Sequence, residues 1–233
     1  MNPRIFALLT ARAGSKSIPD KNIMQCHGMP LFFWNVLAAE QSELIEKTFI
    51  STDSQFIKTY SSKYEVIDRP EDLCQDTSSH HETIIHGIEQ IEEREKCRCD
   101  IVVVLLGNAN GATADDIDYS ILRLMDIEEI DSVLSVSEFN MFNPFRAFKK
   151  TGMLLETVVP QNIIMENSTG LVNNKDAAGN CYFFNGAFMT CRRDVVFRRK
   201  GKAPFAWLGD NIAAHYMDTT MEIDAPWQLS FLK

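Results

Sequence analysis

Apolar runs of strand length alternate with amphipathic stretches through the first half of this chain. Residues 5–10, Ile-Phe-Ala-Leu-Leu-Thr, have the look of a short buried strand. Residues 30–41 read as a helix, with Pro30 well placed in its first turn. Residues 48–52 form a second strand that ends at Asp53. Residues 66–68 form a brief extended piece before Arg69-Pro70, because a residue that precedes proline avoids the helical region. Over residues 81–93, Ile84, Ile88 and Ile91 recur on one helix face. Residues 101–106 are a continuous β-branched and leucine run, as a central strand covered on both faces requires. Thr113 and Asp116 make a capping-box start to a helix that carries Ile117, Ile121 and Leu124, and residues 132–136 make another strand. This alternation predicts an α/β fold with a mostly parallel sheet and right-handed crossovers.

The second half follows a different pattern. Residues 145–159 suit a hairpin, residues 161–180 are polar and rich in Asn without a clear period, and residues 182–190 read as a strand. Met221 to Asp224 alternates as a short strand would. The expectation is one domain over residues 1–233 with an excursion at about 139–180, since a long stretch without assigned structure inside a compact domain is usually a lid, a binding loop or a dimerisation element.

Charge narrows the chemistry. The chain carries a formal net charge of −9, with 45 % hydrophobic and 24 % charged residues. An acidic chain is a poor match for a nucleic-acid backbone, so an anionic ligand must be held by a few local cations or by a metal ion. The apolar run at residues 5–9 is too short to span a bilayer. It also lies too near the first residue, and too close to Arg12 and Lys16, for a signal peptide. A cytoplasmic protein without membrane or nucleic-acid partners is expected. None of the six cysteines forms a CxxC pair, which leaves free thiols in a reducing compartment as the plain reading.

The most informative polar stretch follows the first strand: Ala11-Arg12-Ala13-Gly14-Ser15-Lys16-Ser17-Ile18-Pro19-Asp20-Lys21-Asn22. In open α/β sheets ligands bind beyond the carboxyl ends of the strands. Gly14 and the small residues beside it let backbone N–H groups approach a phosphate, and Arg12, Lys16 and Lys21 supply three cations. On composition alone a triphosphate cradle and a solvated basic loop fit equally well. The stretch is neither a Walker loop nor a GxGxxG.

Its order resembles the pattern A-R-x-G-S-K-G-x-P-x-K-N of the CMP-sialic acid and related acidic-sugar cytidylyltransferases, with Ser17 where that family has Gly. The resemblance continues in Ile50-Ser51-Thr52-Asp53, in Arg69-Pro70-Glu71-Asp72-Leu73 with Asp76-Thr77-Ser78-Ser79, in residues 131–136, in Asn185-Gly186-Ala187 and in Glu222-Ile223-Asp224. It implies a Rossmann-like mixed, mostly parallel sheet flanked by helices, a small dimerisation excursion and a homodimer. It implies attack by a sugar hydroxyl on the α-phosphorus of CTP, with Mg2+, giving a CMP-sugar and pyrophosphate. The nucleotide contacts it implies are Ala11, Arg12, Gly14, Ser15, Lys16, Lys21, Asn22, Arg69, Asp76 and Ser79, with Arg12, Lys21 and Asp224 central to catalysis and Glu222 with Asp224 as metal ligands. Arg and Ser suit cytosine because its O2 and N3 accept hydrogen bonds. On the sugar side stand Gly107, Asn108, Arg146 and Asn185. Arg146 is the cation for the sugar carboxylate, a guanidinium being able to bind it with two hydrogen bonds, though a surface hairpin residue fits as well.

Three positions depart from the family pattern. Residues 106–113, Leu-Gly-Asn-Ala-Asn-Gly-Ala-Thr, replace L-Q-P-T-S-P-L-R, so that the Gln and the Arg are missing. Phe183 stands where an Arg is common, and Glu222 replaces the first metal-binding Asp. The changed loop points to a nonulosonic acid other than N-acetylneuraminic acid, of the legionaminic or pseudaminic kind. A Kdo-type acceptor and a nucleotide-binding homologue without catalysis are the alternatives. His80 and His81 read as first-turn helix residues, Phe32, Phe33 and Trp34 as helix core, and Asp115, Asp116 and Asp118 as an acid-rich helix start that suits the helix dipole.

Overall fold

The computed structural model describes residues 3–168, 174–218 and 220–232. In chain order the regular elements are β1 (Ile5–Thr10), β2 (Gln25–Cys26), β3 (Met29–Pro30), α1 (Leu31–Glu40), β4 (Lys47–Thr52), α2 (Gln55–Tyr60), β5 (Glu65–Asp68), α3 (His80–Glu95), β6 (Ile101–Leu106), α4 (Ala114–Asp126), β7 (Ser132–Glu138), β8 (Phe148–Thr151), β9 (Leu154–Thr157), α5 (Gln161–Asn167), β10 (Tyr182–Arg192), α6 (Arg193–Arg198) and β11 (Ile212–Tyr216).

A seven-stranded sheet runs in the order β11-β7-β10-β6-β1-β4-β5. Every residue of β1 is buried. It pairs in parallel with β4 and with β6, Thr10 facing Ser51 on one side and Leu106 on the other. β4 and β5 are also parallel, whereas β10 runs antiparallel to β6. The sheet is therefore mixed and mostly parallel, with helices flanking it, as the strand–helix alternation requires.

The two faces of β1 are covered differently. Ala7 and Leu9 belong to a core shared with Phe32, Phe33 and Val36 of α1 and with Ile117, Ile121 and Leu124 of α4. On the other face α3 buries Ile84, Ile88 and Ile91. Gly87 of α3 lies so close to this strand that a Cβ there would stand 2.4 Å from a Leu8 methyl carbon. The capping box of α4 is formed: Thr113 Oγ1 accepts from the Asp116 N–H at 3.2 Å, and the Asp116 carboxylate accepts from the Thr113 N–H at 3.1 Å.

The chain divides into a larger compact unit, Met1–Ser135 with Asn185–Lys233, and a smaller one, Val136–Phe184. The smaller unit holds the antiparallel hairpin β8–β9 and α5. Its polar centre is Asn140, whose Nδ2 donates to Glu138 and to Asp176, both at 2.9 Å, while its Oδ1 accepts from the Cys181 N–H at 2.8 Å. The Asn-rich stretch thus contains a helix whose period the polar residues conceal; residues 169–173 lie outside the described part. Five further elements escape the hydrophobic pattern: the two-residue strands β2 and β3, the six-residue helices α2 and α6, and β11. Met221–Asp224 is a correction. The segment joins no sheet, and its order comes from a hydrogen bond between the Ile223 N–H and the Asn108 carbonyl at 2.7 Å. Pro30 lies one residue ahead of α1, at its N-cap.

Because both halves of the α4 cap are engaged, Thr113→Ala should lower stability by about 1 kcal/mol. Urea denaturation should show a lower midpoint with an unchanged slope; an unaltered midpoint would show that the cap contributes nothing.

Candidate active site

Parallel pairing of β1 with β4 and β6 brings three chain reversals together at the carboxyl edge of the sheet. The loop after β1 is held to its neighbours by main-chain bonds: the Ala11 N–H donates to the Ser51 carbonyl and the Gly107 N–H to the Thr10 carbonyl, each at 3.1 Å. Asp53, just past β4, accepts from the Ala13 N–H at 2.7 Å. Within the loop, Asn22 is buried and its Nδ2 donates to the Arg12 carbonyl at 2.9 Å. Gly14 has a φ of +68°, in the left-handed region, which only glycine adopts without strain. Ile18 packs with Cys26, Leu31 and Ile223 in a small apolar cluster. One buried isoleucine thereby anchors the cationic loop, and a second anchors the carboxylate segment Glu222–Asp224 beside it.

The cleft between these loops encloses about 260 Å³ and is lined by Thr10, Arg12, Lys21, Asn22, Arg69, Leu73, Gln75, Asp76, Ser78, His80, Thr83, Leu106, Asn108 and Glu222. Ala11, Gly14, Ser15, Lys16 and Asp224 belong to the loops that frame it, with Gly14 and Ser15 in an adjoining crevice. Two carboxylates answer the loop cations. Asp76 pairs with both Arg12 and Lys16, and Asp224 pairs with Lys21. The Asn108 Nδ2 donates to the same Asp224 oxygen at 3.1 Å. Asp76 is held below the usual carboxylate range by the hydrogen bonds from Lys16 and Arg12. The Arg69 guanidinium donates to the Ser51 carbonyl at 2.8 Å and to Ser51 Oγ at 3.2 Å, and its burial pushes its pKa down.

Glu222 and Asp224 compete for charge. Burial, then the hydrogen bond and repulsion from Asp224, push the Glu222 pKa up to about 8. For Asp224 burial acts in the same upward sense, but the hydrogen bonds from Glu222, Lys21 and Asn108 outweigh it and its pKa falls. Gly186 makes the site possible. A Cβ there would stand 2.5 Å from the Glu222 Cβ, and its φ is +82°. Gln228 braces the segment: its Oε1 accepts from the Asp224 N–H at 2.8 Å and its Nε2 donates to the Glu222 carbonyl at 2.9 Å. Two adjacent carboxyl groups, of which Glu222 holds its proton and Asp224 is ionised, are hard oxygen donors whose mutual repulsion on full ionisation a divalent cation relieves, and so the donor set fits Mg2+. Among the described residues no group of three or more His, Cys, Asp or Glu could hold a metal. Phosphate oxygens and water would complete the shell, as is usual for this ion.

Several residues expected at the sugar or the base also carry structural contacts of their own. Gly107 carries no open face: a Cβ on it would lie 2.6 Å from the Ala11 Cβ and 3.3 Å from the Asn22 side chain, so this position supports the cationic loop. Thr113 is the α4 cap. Asn185 is buried, and its Oδ1 accepts from Ser135 Oγ at 2.7 Å and from the Ala187 N–H at 3.1 Å, which makes it part of the sheet. Ser79 caps α3 by accepting from the Glu82 N–H, and Ser78 is the serine that lines the cleft. Arg146 lies in the smaller unit, on the turn Pro144–Arg146.

His80 is the residue the pattern undervalued. It is in the first turn of α3, yet it lines the cleft, and its Nε2 shares a hydrogen bond with Thr10 Oγ1 at 3.0 Å. Burial, with Arg69 and His81 nearby, pushes its pKa down to about 4, so it is neutral at physiological pH. Asn35, buried in α1, ties the loop after β6 by donating to the Leu106 and Ala109 carbonyls at 2.8 and 3.0 Å. Asp116 pairs with His215 and Asp118 accepts from Ser42, which accounts for two acids of the α4 start as structural groups. A larger depression of about 550 Å³, where β6 and β7 begin, is lined by Arg98, Arg192 and Arg198 together with Asp100, Asp131 and Asp194. Its cations are already satisfied by those acids or by the carbonyls that end α4.

A mixed sheet with a cation-bearing loop after the first strand and paired carboxylates across the cleft has counterparts of the same fold among solved structures. A solved CMP:2-keto-3-deoxy-manno-octonic acid synthetase in complex with CTP has the same fold, with a TM-score of 0.64 at 16 % identity over 97 % of this chain and 95 % of that one. A family model described as Cytidylyltransferase matches residues 6–101 of this chain. The CMP-N,N'-diacetyllegionaminic acid synthase of Legionella pneumophila is 41 % identical over 95 residues, 40 % of this chain and 41 % of that protein. The post-translational flagellin modification protein B of Campylobacter coli is 24 % identical over 230 residues, 97 % of this chain and 92 % of that protein. The aligned parts span less than half the length of the relatives that match at more than 30 % identity.

The Glu222 shift has a definite pH signature. Between the ordinary carboxylate value and about 8 the unfolded chain has ionised Glu222 while the folded protein keeps its proton. Stability therefore falls as pH rises through that window. In chelator, Glu222→Gln should melt higher than the wild type at pH 9 and at nearly the same temperature at pH 5. An equal difference at both pH values contradicts the raised pKa.

Proposed function

We propose that this protein transfers CMP from CTP to an acidic 2-keto-3-deoxy sugar, a nonulosonic acid, and releases pyrophosphate. The observation that carries this reading is the convergence of Arg12, Lys21, Arg69 and the Glu222–Asp224 pair on one cleft, in a chain whose residues 6–101 match a cytidylyltransferase model. Arg12, Lys16 and Lys21, with the N–H groups around Gly14 and Ser15, bind the triphosphate. Asn22 fixes the loop that carries them. Arg69, held at the end of β4, and the Asp72–Ser78 turn supply donors to the base edge, while neutral His80 and Leu106 complete an uncharged wall suited to a neutral base.

The acceptor hydroxyl attacks the α-phosphorus in line, the bond to the bridging oxygen breaks, and pyrophosphate leaves with its charge balanced by Arg12 and Lys21. The hydroxyl proton passes to the carboxylate pair, and Asn108 orients Asp224 for it. Glu222 and Asp224 would hold Mg2+, which when bound offsets phosphate charge and makes the acceptor hydroxyl more acidic. The remainder of the rate enhancement is positioning and electrostatic stabilisation. For the sugar, Asn108 contacts the acceptor. Because positions 107 and 113 do structural work, choice of sugar rests on other residues. The Legionella and Campylobacter relatives, named for diacetyllegionaminic acid and for flagellin modification, support an acceptor of the legionaminic or pseudaminic kind.

A homodimer completes the proposal. In the smaller unit Met153 is 97 % exposed and Leu154 72 % exposed, with Phe148 and Leu155 also open to solvent. An apolar hairpin of this kind is a surface that association would cover.

Pyrophosphate release should be seen with CTP and should be at least tenfold slower with UTP, ATP or GTP, since a site built to hydrogen-bond one base edge leaves polar groups unpaired with another. Across N-acetylneuraminic, Kdo, legionaminic and pseudaminic acids, kcat/KM should be highest for one of the last two; a tenfold lead for N-acetylneuraminic acid would overturn the choice of sugar. Asp224→Ala should reduce turnover about a thousandfold with an unchanged circular dichroism spectrum, and retention of a tenth of the activity would contradict its role. Light scattering should give twice the 26.5 kDa chain mass, and Leu154→Asp should return the monomer.

A further inference from the structure

The two oxygens of Asp76 are divided between two cations of the loop after β1: one takes the Arg12 guanidinium, the other the Lys16 ammonium. Among the described residues neither cation has a second carboxylate partner. The turn that carries Asp76 does not depend on these pairs. Ser78 Oγ donates to the Asp72 carbonyl at 2.6 Å and accepts from the Gln75 N–H at 3.0 Å, and the Gln75 side chain donates to the Glu71 carbonyl at 3.1 Å. Asp76 is therefore presented to the cations by a braced segment.

The pairs are placed where they can be broken. The Lys16 side chain is 85 % exposed and those of Arg12 and Asp76 about a third exposed, and water screens ion pairs of that kind strongly. A phosphate chain offers the same type of oxygen in greater number and with greater charge. It cannot share Arg12 and Lys16 with Asp76 without bringing like charges together. A carboxylate is also an acceptor only, so Asp76 has nothing to donate to a phosphate.

We infer that Asp76 is a displaceable counter-ion: it holds Arg12 and Lys16 while no nucleotide is bound, yields them to the triphosphate, and takes them back as pyrophosphate departs. The inference rests on the phosphate role given to Arg12 and Lys16 in the proposed function. Asp76 acts through these two residues and is a positioning residue. Every phosphate-chain ligand has to break the same two pairs, so Asp76 weakens CTP and pyrophosphate by the same factor. Its benefit falls on the product, which would otherwise remain on a loop of uncompensated cations.

The test is titration calorimetry at low ionic strength, with CTP and separately with inorganic pyrophosphate, on the wild-type protein and on Asp76→Asn, Asp76→Glu and Arg12→Ala. Asp76→Asn should bind both ligands about three- to tenfold tighter, the scale of losing one or two screened pairs. Inhibition of turnover by pyrophosphate should strengthen by the same factor. Asp76→Glu, which keeps the carboxylate, should stay within about twofold of the wild type, a spread that a moved but intact ion pair allows. Unchanged or weaker pyrophosphate binding by a folded Asp76→Asn protein overturns the inference, and Asp76→Ala gives the same reading if the Asn variant does not fold. Arg12→Ala separates the two levels of the argument. If it weakens both ligands while Asp76→Asn tightens neither, only the counter-ion role fails. If it leaves both affinities unchanged, the phosphate role of the loop fails, and the inference with it.

Discussion

Parallel pairing of β1 with β4 on one side and β6 on the other is the constraint on which the site depends. Parallel strands end at the same edge of a sheet, so the chain reversals that follow Thr10, Thr52 and Leu106 are forced to be neighbours. Main-chain bonds at Ala11 and Gly107 extend the ladder one residue past the strands on both sides. The cationic loop therefore starts from a fixed backbone, and the polar side chains it carries have little freedom in direction. Burial of both faces of β1 under α1, α4 and α3 makes this arrangement stable, because slipping the register by one residue would exchange the side chains of the two faces.

Charge balance organises what the sheet has brought together. An acidic chain keeps a few cations at one edge, and the larger unit answers each with a carboxylate: Asp76 for Arg12 and Lys16, Asp224 for Lys21. Glu222 is the exception. It is buried beside Asp224 and keeps a proton that an ordinary glutamate loses. A site that is electrostatically satisfied on the cation side and unsatisfied on the carboxylate side is prepared for a ligand that brings both anions and a divalent cation. The nucleotide and the metal ion proposed for this cleft are a combination of that kind.

Small residues do much of the spatial work. Gly107 lets the loop after β6 lie against Ala11 and Asn22, Gly186 clears room for Glu222, and Gly87 lets α3 settle on Leu8. Each allows two backbone segments to approach more closely than a Cβ permits. The departures from the family pattern at 107 and 113 take on a different meaning in this light. Gly107 and Thr113 are a packing contact and a helix cap, and the side chain of this loop that reaches Asp224 is that of Asn108.

The sequence by itself determined the longer strands and helices as far as β7, the cap of α4, the hairpin β8–β9, and the cationic loop with its cytidylyltransferase-like order. These are local properties: apolar periodicity, capping chemistry and a contiguous motif are written in neighbouring residues. What only the tertiary structure decided are relations between distant positions. Asp76 answers Arg12 from 64 residues away and Asp224 answers Lys21 from 203 residues away. Asn35 and Gln228 brace loops they do not belong to, and His80 leaves a helix start to line the cleft. Nothing in the local pattern distinguishes Asn185, consumed by the sheet, from Asn108, open to the cleft, or Ser79, which caps α3, from Ser78, which braces a turn that lines the cleft. Their side-chain chemistry is the same, and the hydrogen-bond partners that separate them are supplied by segments that meet only when the chain is folded.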